Sequence, residues 1–523
     1  MASIARIFSR PVAKPYRSHQ LKHEKPYIND RGRVDFAPGD VENPRNWSRL
    51  RRAYVTVVCV LLVVNATFAS SAPSGCLPSI AGSFNISTEA AGLTITLFLL
   101  GYCAGPLVFA PLSESYGRRA VFLATFALYL ASTFLCAFAP SFGGLLAGRF
   151  LAGTFVSAPL SNSPGVLADV WGPRERGNAM AAFSCMVWAG PAAGPVISGF
   201  LQLTKGDAAW RWTFYVLLML GAASSLLLLT LPETYAPVLL RRKAAIEDDG
   251  AGRPGLVASY KVALTRPWTI LLDPISFLVA LYLSVVYLLL YMLFAIYPIV
   301  FQQRRGWNAG VGELPLVGTV VGALLAGAIM VWDTRRQARA GRALTPEDRL
   351  ATAMPGGVVF AASMFWLAWT GESDAVHWAA PTLAGVFLSG AMVLVFVSFL
   401  NYLVDTYLEY AASAVAANTV CRSACGAAAP LFTDPMFAAL GIGGGGSLIG
   451  GVGALLAVIP FVFYRYGEGI RRRSKFAPTQ ARAEAGRDDE EMQQQRSEGS
   501  TENGTRVADA TASKQHDCVD AEH

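Results

Sequence analysis

Charge is scarce in this sequence. Asp, Glu, Lys and Arg together make up 15% of its 523 residues, and histidine occurs five times. Soluble domains carry roughly 25% charged residues, so an ordinary water-facing globule is a poor reading. Neither a Cys-x-x-Cys pair nor Cys/His ligand spacing occurs, and no metal or other cofactor is expected. There is no Gly-x-x-x-x-Gly-Lys-Ser/Thr loop, so the chain does not cradle ATP phosphates by that route. His and Asp do not cluster within the apolar stretches, as a membrane-embedded enzyme would require, and the chain is read as a non-enzyme. Of eight cysteines, Cys59, Cys103, Cys136, Cys185, Cys421 and Cys425 lie inside apolar stretches, where a thiol acts as a small apolar group. Cys76 lies near a loop with no obvious disulfide partner. No signal peptide precedes the first apolar stretch, which is therefore expected to direct insertion itself.

Long apolar runs are what the sequence has most of. Hydrophobic residues reach 53% and mean hydropathy is +0.40. About 20 apolar residues, rising 1.5 Å each, cross a ~30 Å hydrocarbon core. Twelve stretches have about that length, near 53–72, 90–112, 120–139, 143–168, 177–203 and 213–231, then 270–300, 311–332, 350–370, 376–404, 411–432 and 447–466. The expected fold is an all-α polytopic membrane protein with twelve transmembrane helices in two six-helix bundles, at 53–232 and 270–467. A polar tail (1–52) precedes them. A linker (233–269) with Arg241-Arg-Lys243 and the acidic Glu247-Asp-Asp249 joins them. The tail from 468 to 523 has too few large apolar side chains to offset its ordering entropy and is expected to be disordered. If the first stretch enters from the cytosol, 37 of the 43 Lys and Arg fall on cytosolic segments. That asymmetry is the positive-inside pattern and puts both termini in the cytosol. The net charge of +7 thus reports topology and no nucleic-acid partner.

The halves echo one another. Val166-Leu-Ala-Asp169-Val-Trp171 parallels Tyr402-Leu-Val-Asp405-Thr-Tyr407, and the same offset carries Gly190 onto Gly426. Such repeats accompany a cavity between two bundles. Between stretches two and three the chain reads Ala110-Pro-Leu-Ser-Glu-Ser-Tyr-Gly-Arg-Arg119. Gly117 there allows a tight turn, and Glu114 can pair with an arginine or a helix N-terminus. Stretch five contains Trp188-Ala-Gly-Pro-Ala-Ala-Gly-Pro-Val-Ile-Ser-Gly199. Gly190, Gly194 and Ser198 or Gly199 give one face a groove for close packing, and Pro191 and Pro195 each remove a helical hydrogen bond. Arg149 and Arg422 lie within stretches four and eleven, where a charge costs several kcal/mol unless it faces a wet cavity or a partner.

These elements resemble signatures of the major facilitator superfamily. Leu112, Gly117, Arg118 and Arg119 match its loop signature G-x-L-A-D-R-x-G-R-[KR]; Glu114 replaces the Asp, while Ala110 and Ser115 depart from it. The Gly190–Gly199 element is similar to the antiporter motif G-P-x-x-G-G, with Ser198 where Gly is frequent. Arg149-Phe-Leu-Ala-Gly153 resembles the R-x-x-x-G element. Asp169-Val-Trp-Gly-Pro-Arg-Glu-Arg-Gly177, Trp210-Arg-Trp212, Leu231-Pro-Glu-Thr-Tyr-Ala-Pro237, Asn401-Tyr-Leu-Val-Asp-Thr-Tyr407, Arg422-Ser423 and Tyr464-Arg-Tyr-Gly467 look like the fungal twelve-span drug:proton antiporter branch. Asp273-Pro274 stands where that branch has Glu-Pro. The resemblance covers roughly residues 43–476. It implies alternating access and proton-coupled export of a small organic compound by a monomer in the plasma membrane. It also implies conformational roles for Glu114, Gly117, Arg118, Arg119, Gly190, Pro191, Gly194, Pro195 and Gly199.

Proton coupling needs a titratable group inside the bundles, yet the acids sit at span ends. Coupling is therefore assigned to Arg149, Arg422 and an acid at a cavity mouth, Asp169 or Asp405. Aromatic residues crowd stretch seven, at Tyr282, Tyr287, Tyr291, Phe294 and Tyr297. Tyr287 and Tyr291, with Phe68, Tyr102, Asn401 and Tyr402, are candidates to line a pocket for a flat amphipathic solute. The scarcity of cavity carboxylates favours neutral or anionic aromatic cargo. A polyamine exporter, an uptake permease and a non-transporting sensor stand as alternatives. Asn85, in Asn85-Ile-Ser87, is expected to be the only glycosylation sequon on the external side.

Overall fold

The computed structural model describes residues 36–37, 39–244, 256–339, 345–474 and 476, with helices and no strand among them. The Glu247–Asp249 patch and the tails before 36 and after 476 lie outside the described residues. Twelve long helices follow in order. The first bundle holds α1 (Arg49–Ser71), α2 (Thr88–Tyr116), α3 (Arg118–Ala137), α4 (Phe142–Val170), α5 (Pro173–Lys205) and α6 (Ala209–Leu229). The second holds α7 (Pro274–Tyr297), α8 (Val317–Arg339), α9 (Ala353–Glu372), α10 (Ala379–Tyr407), α11 (411–440) and α12 (442–473).

Among the described residues, nine continuous helical runs are long and apolar enough to cross a membrane. Two of them, Ala182–Leu229 and Ala411–Arg473, contain a chain reversal at a positive-φ glycine, Gly206 and Gly441, and so hold two spans each. The remaining helix, α4, has 29 residues; Arg149 and its small polar residues lower its hydropathy. Because the number of spans is even, the described chain ends share one face of the molecule, called the terminal face below.

The structure corrects two boundaries. Residues 433–446, left between stretches eleven and twelve, are not a loop: α11 runs on to 440, and Gly441–Gly446 is a turn plus the first turns of α12. Gly441 at φ +71° reverses the chain, and Glu372 at the end of α9 accepts the Gly443 N–H at 2.6 Å, capping the new helix from outside. Stretch seven, expected from 270, starts at Pro274. Asp273 accepts the Ile275 N–H at 3.1 Å as N-cap, and Leu256–Leu271 forms a separate helix.

Packing repeats between halves. In the first bundle α1 lies against α5, α2 against α4, and α3 against α4 and α6; in the second α7 lies against α11, α8 against α10, and α9 against α10 and α12. Lipid offers no hydrophobic drive for helices to associate, so close contact of small residues carries much of the association. A Cβ on Gly153 of α4 would lie 2.1 Å from Phe98 O of α2, and one on Gly322 of α8 would lie 2.1 Å from Val386 O of α10. Large apolar side chains such as Leu226, Leu324 and Leu455 remain exposed on the outside, where acyl chains would cover them. The bundles meet along α2–α11 and α5–α8, and that seam positions the site.

Candidate functional site

Pro73 lacks an N–H, so the carbonyl of Ala69, four residues earlier, loses its helical donor. Arg149 supplies one. Its Nη2 donates to Ala69 O (2.9 Å) and Ser70 O (3.4 Å), and its Nε donates to Thr94 O (2.8 Å). The guanidinium lies 4.1 Å from the Phe98 ring centroid and the residue is 1% exposed. Arg149 therefore ties α1 and α2 to α4 and does not point its charge into open space. Tyr102 of α2 donates to Ala66 O at 2.7 Å, adding to the same junction.

A second proline vacancy joins α1 to α5. Pro195 cannot donate to Pro191 O, and Ser71 Oγ does so at 2.8 Å. Gly190 and Gly194 let α1 approach: a Cβ there would fall 2.0 Å from Thr67 Oγ1 and 2.3 Å from Ser71 Oγ. Phe68 is buried beside Gly190. The motif glycines thus pack inside the first bundle. Only Gly199 reaches across the seam, where a Cβ would sit 2.5 Å from Ala309 O.

On the other side of the seam Arg422 has a different environment. It is half-buried, its guanidinium lies 4.7 Å from the Tyr287 centroid and 5.2 Å from that of Phe396, and its buried Nε has no hydrogen-bond partner. Among the described residues no carboxylate pairs with it. Gly426, one turn on, admits the rings of Tyr287 and Tyr291. Tyr291 crosses the seam to donate to Ser70 Oγ at 2.9 Å, and Trp188 meets Phe396 edge-on at 5.8 Å. Arg149, Tyr102, Tyr287, Tyr291 and Arg422 thus form one central group. Asn401 and Tyr402 are not in it. They lie near the terminal-face end of α10, where Tyr402 stacks on Phe463 at 5.7 Å.

The two acids assigned to coupling, Asp169 and Asp405, lie at the terminal face. Arg118 Nε is 3.7 Å from Asp169, and Arg349 Nε is 2.7 Å from Asp405. Glu114 is exposed on the last turn of α2. The α3 N-terminus is capped instead by Glu233, which accepts from the N–H groups of Arg118 (2.9 Å) and Arg119 (3.1 Å). Gly117, at φ +97°, has no room for a Cβ: one would lie 2.3 Å from Glu233 Oε2. Arg119 also donates to Leu229 O at 3.0 Å. Nothing local to Leu231-Pro-Glu-Thr signals the role of Glu233, because its partners are 115 residues away in the chain. Asn85 is exposed in the turn before α2, on the face opposite the termini, with φ 52°.

Two helical bundles meeting along an arginine-bearing polar seam define a membrane transporter of the two-bundle class. A family model described as Major Facilitator Superfamily matches residues 59–430, and the chain belongs to that superfamily. It is 41% identical over 463 residues to the efflux pump FUB11 of Gibberella moniliformis, covering 85% of this chain and 77% of that protein. It is 38% identical over 481 residues to the multidrug transporter mdrA of Aspergillus fumigatus, covering 88% and 78%. Among solved structures it resembles the proton:xylose symporter XylE, with TM-score 0.61, 15% identity and coverage of 80% of this chain and 97% of that one. It also resembles the human organic anion transporter MFSD10, with TM-score 0.55, 17% identity and coverage of 79% and 99%; both likenesses concern the fold.

Proposed function

We propose that this chain is a secondary active exporter that moves a small organic compound against protons by alternating access. The observation that carries the reading is the unpaired Arg422 guanidinium between aromatic rings on the seam, where a cargo would touch both bundles. The naming of relatives at about 40% identity as efflux and multidrug pumps supports the outward direction. The basic residues concentrated on the terminal face support a cytosolic assignment for it in the plasma membrane. On that face a cleft of about 730 Å³ opens between α5 and α8, past Cys185, Gly327, Trp332 and Arg335, and supports cytosolic entry.

In this reading segments 53–232 and 270–467 are the two rocking bodies of a monomer. Arg149 together with Asp169 or Asp405 couples their motion to protons, and the two acids hold the cytosolic ends. The test is uptake into inside-out vesicles of a pump-deficient yeast expressing the chain, with and without a pH gradient. Gradient-dependent accumulation inside the vesicles of a fluorescent drug supplied on their cytosolic, outer side supports the reading. Movement toward the cytosol would make the chain an uptake permease, and no movement of any probe would make it a sensor.

A further inference from the structure

The two seam arginines differ in what is left to them. Arg149 spends Nε and Nη2 on three backbone carbonyls. Arg422 makes no hydrogen bond or ion pair among the described residues, and its guanidinium lies over the rings of Tyr287 and Phe396. One turn earlier on α11, Asn418 is fully buried, yet neither Nδ2 nor Oδ1 has a partner. Residues four apart share a helix face, so Asn418, Arg422 and Gly426 form one stripe toward α7. Native buried amides are nearly always satisfied, and a donor-acceptor pair left open beside an open guanidinium is what an absent polar ligand would complete. The rings of Tyr287, Tyr291, Phe396 and Trp188 supply an aromatic lining, and no carboxylate among the described residues pairs with Arg422 to balance a cationic cargo.

Resting on the export reading, we infer that the cargo is an aromatic organic anion, with its charged group held by Arg422 and an adjacent polar atom read by Asn418. The fork of a guanidinium suits a carboxylate held by two parallel hydrogen bonds. Asn can donate to or accept from the cargo's heteroatom.

The experiment uses the full chain, purified in detergent, with three probes that share one ring system: 1-naphthoate, 1-naphthamide and 1-naphthylmethylammonium. Binding is read from tryptophan quenching and from the shift in unfolding temperature. The expected result is that naphthoate binds at least tenfold more tightly than the amide, and the ammonium ion more weakly still. Arg422→Gln should erase the preference for naphthoate, and Arg422→Lys should keep part of it. Asn418→Ala should weaken naphthoate several-fold without lowering the unfolding temperature of the unliganded protein, because neither amide atom has a bond to lose; a purely structural asparagine would destabilise. Equal or tighter binding of the amide or the ammonium ion to wild type, or no binding of any of the three, overturns the inference. Transport is read separately, in vesicles. Selective binding of naphthoate without its export would sink the export reading and leave the anion site standing. Export of cations alone would leave the export reading standing and sink the anion site.

Discussion

Asp405 accepts the Nε of Arg349 at 2.7 Å, and Asp169, 236 positions earlier, faces the Nε of Arg118 at 3.7 Å. Each acid closes the terminal-face end of the fourth helix of its bundle against the start of the third. Both bundles are therefore latched by the same contact, one from each half of the repeat.

Breaking one latch should alter turnover more than stability. Arg349 and Asp405 are each about a third exposed, and such pairs contribute under about 1 kcal/mol. Asp405→Asn should slow transport several-fold with little change in unfolding temperature. The swapped pair Arg349→Asp with Asp405→Arg should recover part of the rate. An unfolding shift as large as that of a core mutant would show the pair to be structural.

Arg149→Ala should do both kinds of damage. It strands three carbonyls and removes the tie between α1, α2 and α4. Hydrogen bonds to charged groups contribute roughly 1.5–3 kcal/mol, so the unfolding temperature should fall together with transport. Arg149→Lys, which cannot span the carbonyls with a fork, should fall between wild type and Ala in both measurements. Full activity in Arg149→Ala would remove this arginine from the machinery.

Ser71→Ala leaves Pro191 O without a donor and should cost about 1–2 kcal/mol. Gly194→Ala should cost about 1–3 kcal/mol by overpacking, since its Cβ would meet Ser71 Oγ at 2.3 Å and Ala72 N at 2.9 Å. The double variant should be less unstable than the two losses summed, because removing the hydroxyl relieves the closer clash. Strict additivity in thermal unfolding would contradict the contact.

Glu233→Ala uncovers the first two N–H groups of α3 and should cost about 1 kcal/mol, in the range of a lost N-cap. Glu233→Gln retains an acceptor and should cost less. Unfolding of the two variants side by side checks this order.

Deglycosylation should shift the wild-type band on a gel, and Asn85→Gln should abolish the shift. A shift that survives the substitution would reverse the assigned sidedness.

How much of this was legible in the chain depends on how local each cause is. A bilayer demands apolar length whatever the neighbours do, so twelve spans can be read from hydropathy alone, and Gly117 announces its turn. The carbonyls that receive Arg149 cannot be read this way, because Pro73 vacates one on a helix 80 residues away. Glu233 and Glu372 are also remote, each capping a helix that begins elsewhere in the sequence. The glycines at Gly441–Gly446 interrupt the apolar pattern, yet the cap from Glu372 makes most of that segment helix. Tyr402 looked like a pocket residue because it is aromatic and near the end of a span; only packing reveals Phe463 beneath it.

The helix Leu256–Leu271 lies against both α2 and α11, and Tyr260 donates to Val108 O at 3.1 Å. A strap fastened to two bodies cannot remain slack for both when they turn. In the alternating access proposed above its grip would differ between the two orientations, and that difference would set how long the transporter dwells in each one. Under that proposal the segment joining the halves is a timing element as well as a tether, and the Tyr260 contact is the place to alter its timing.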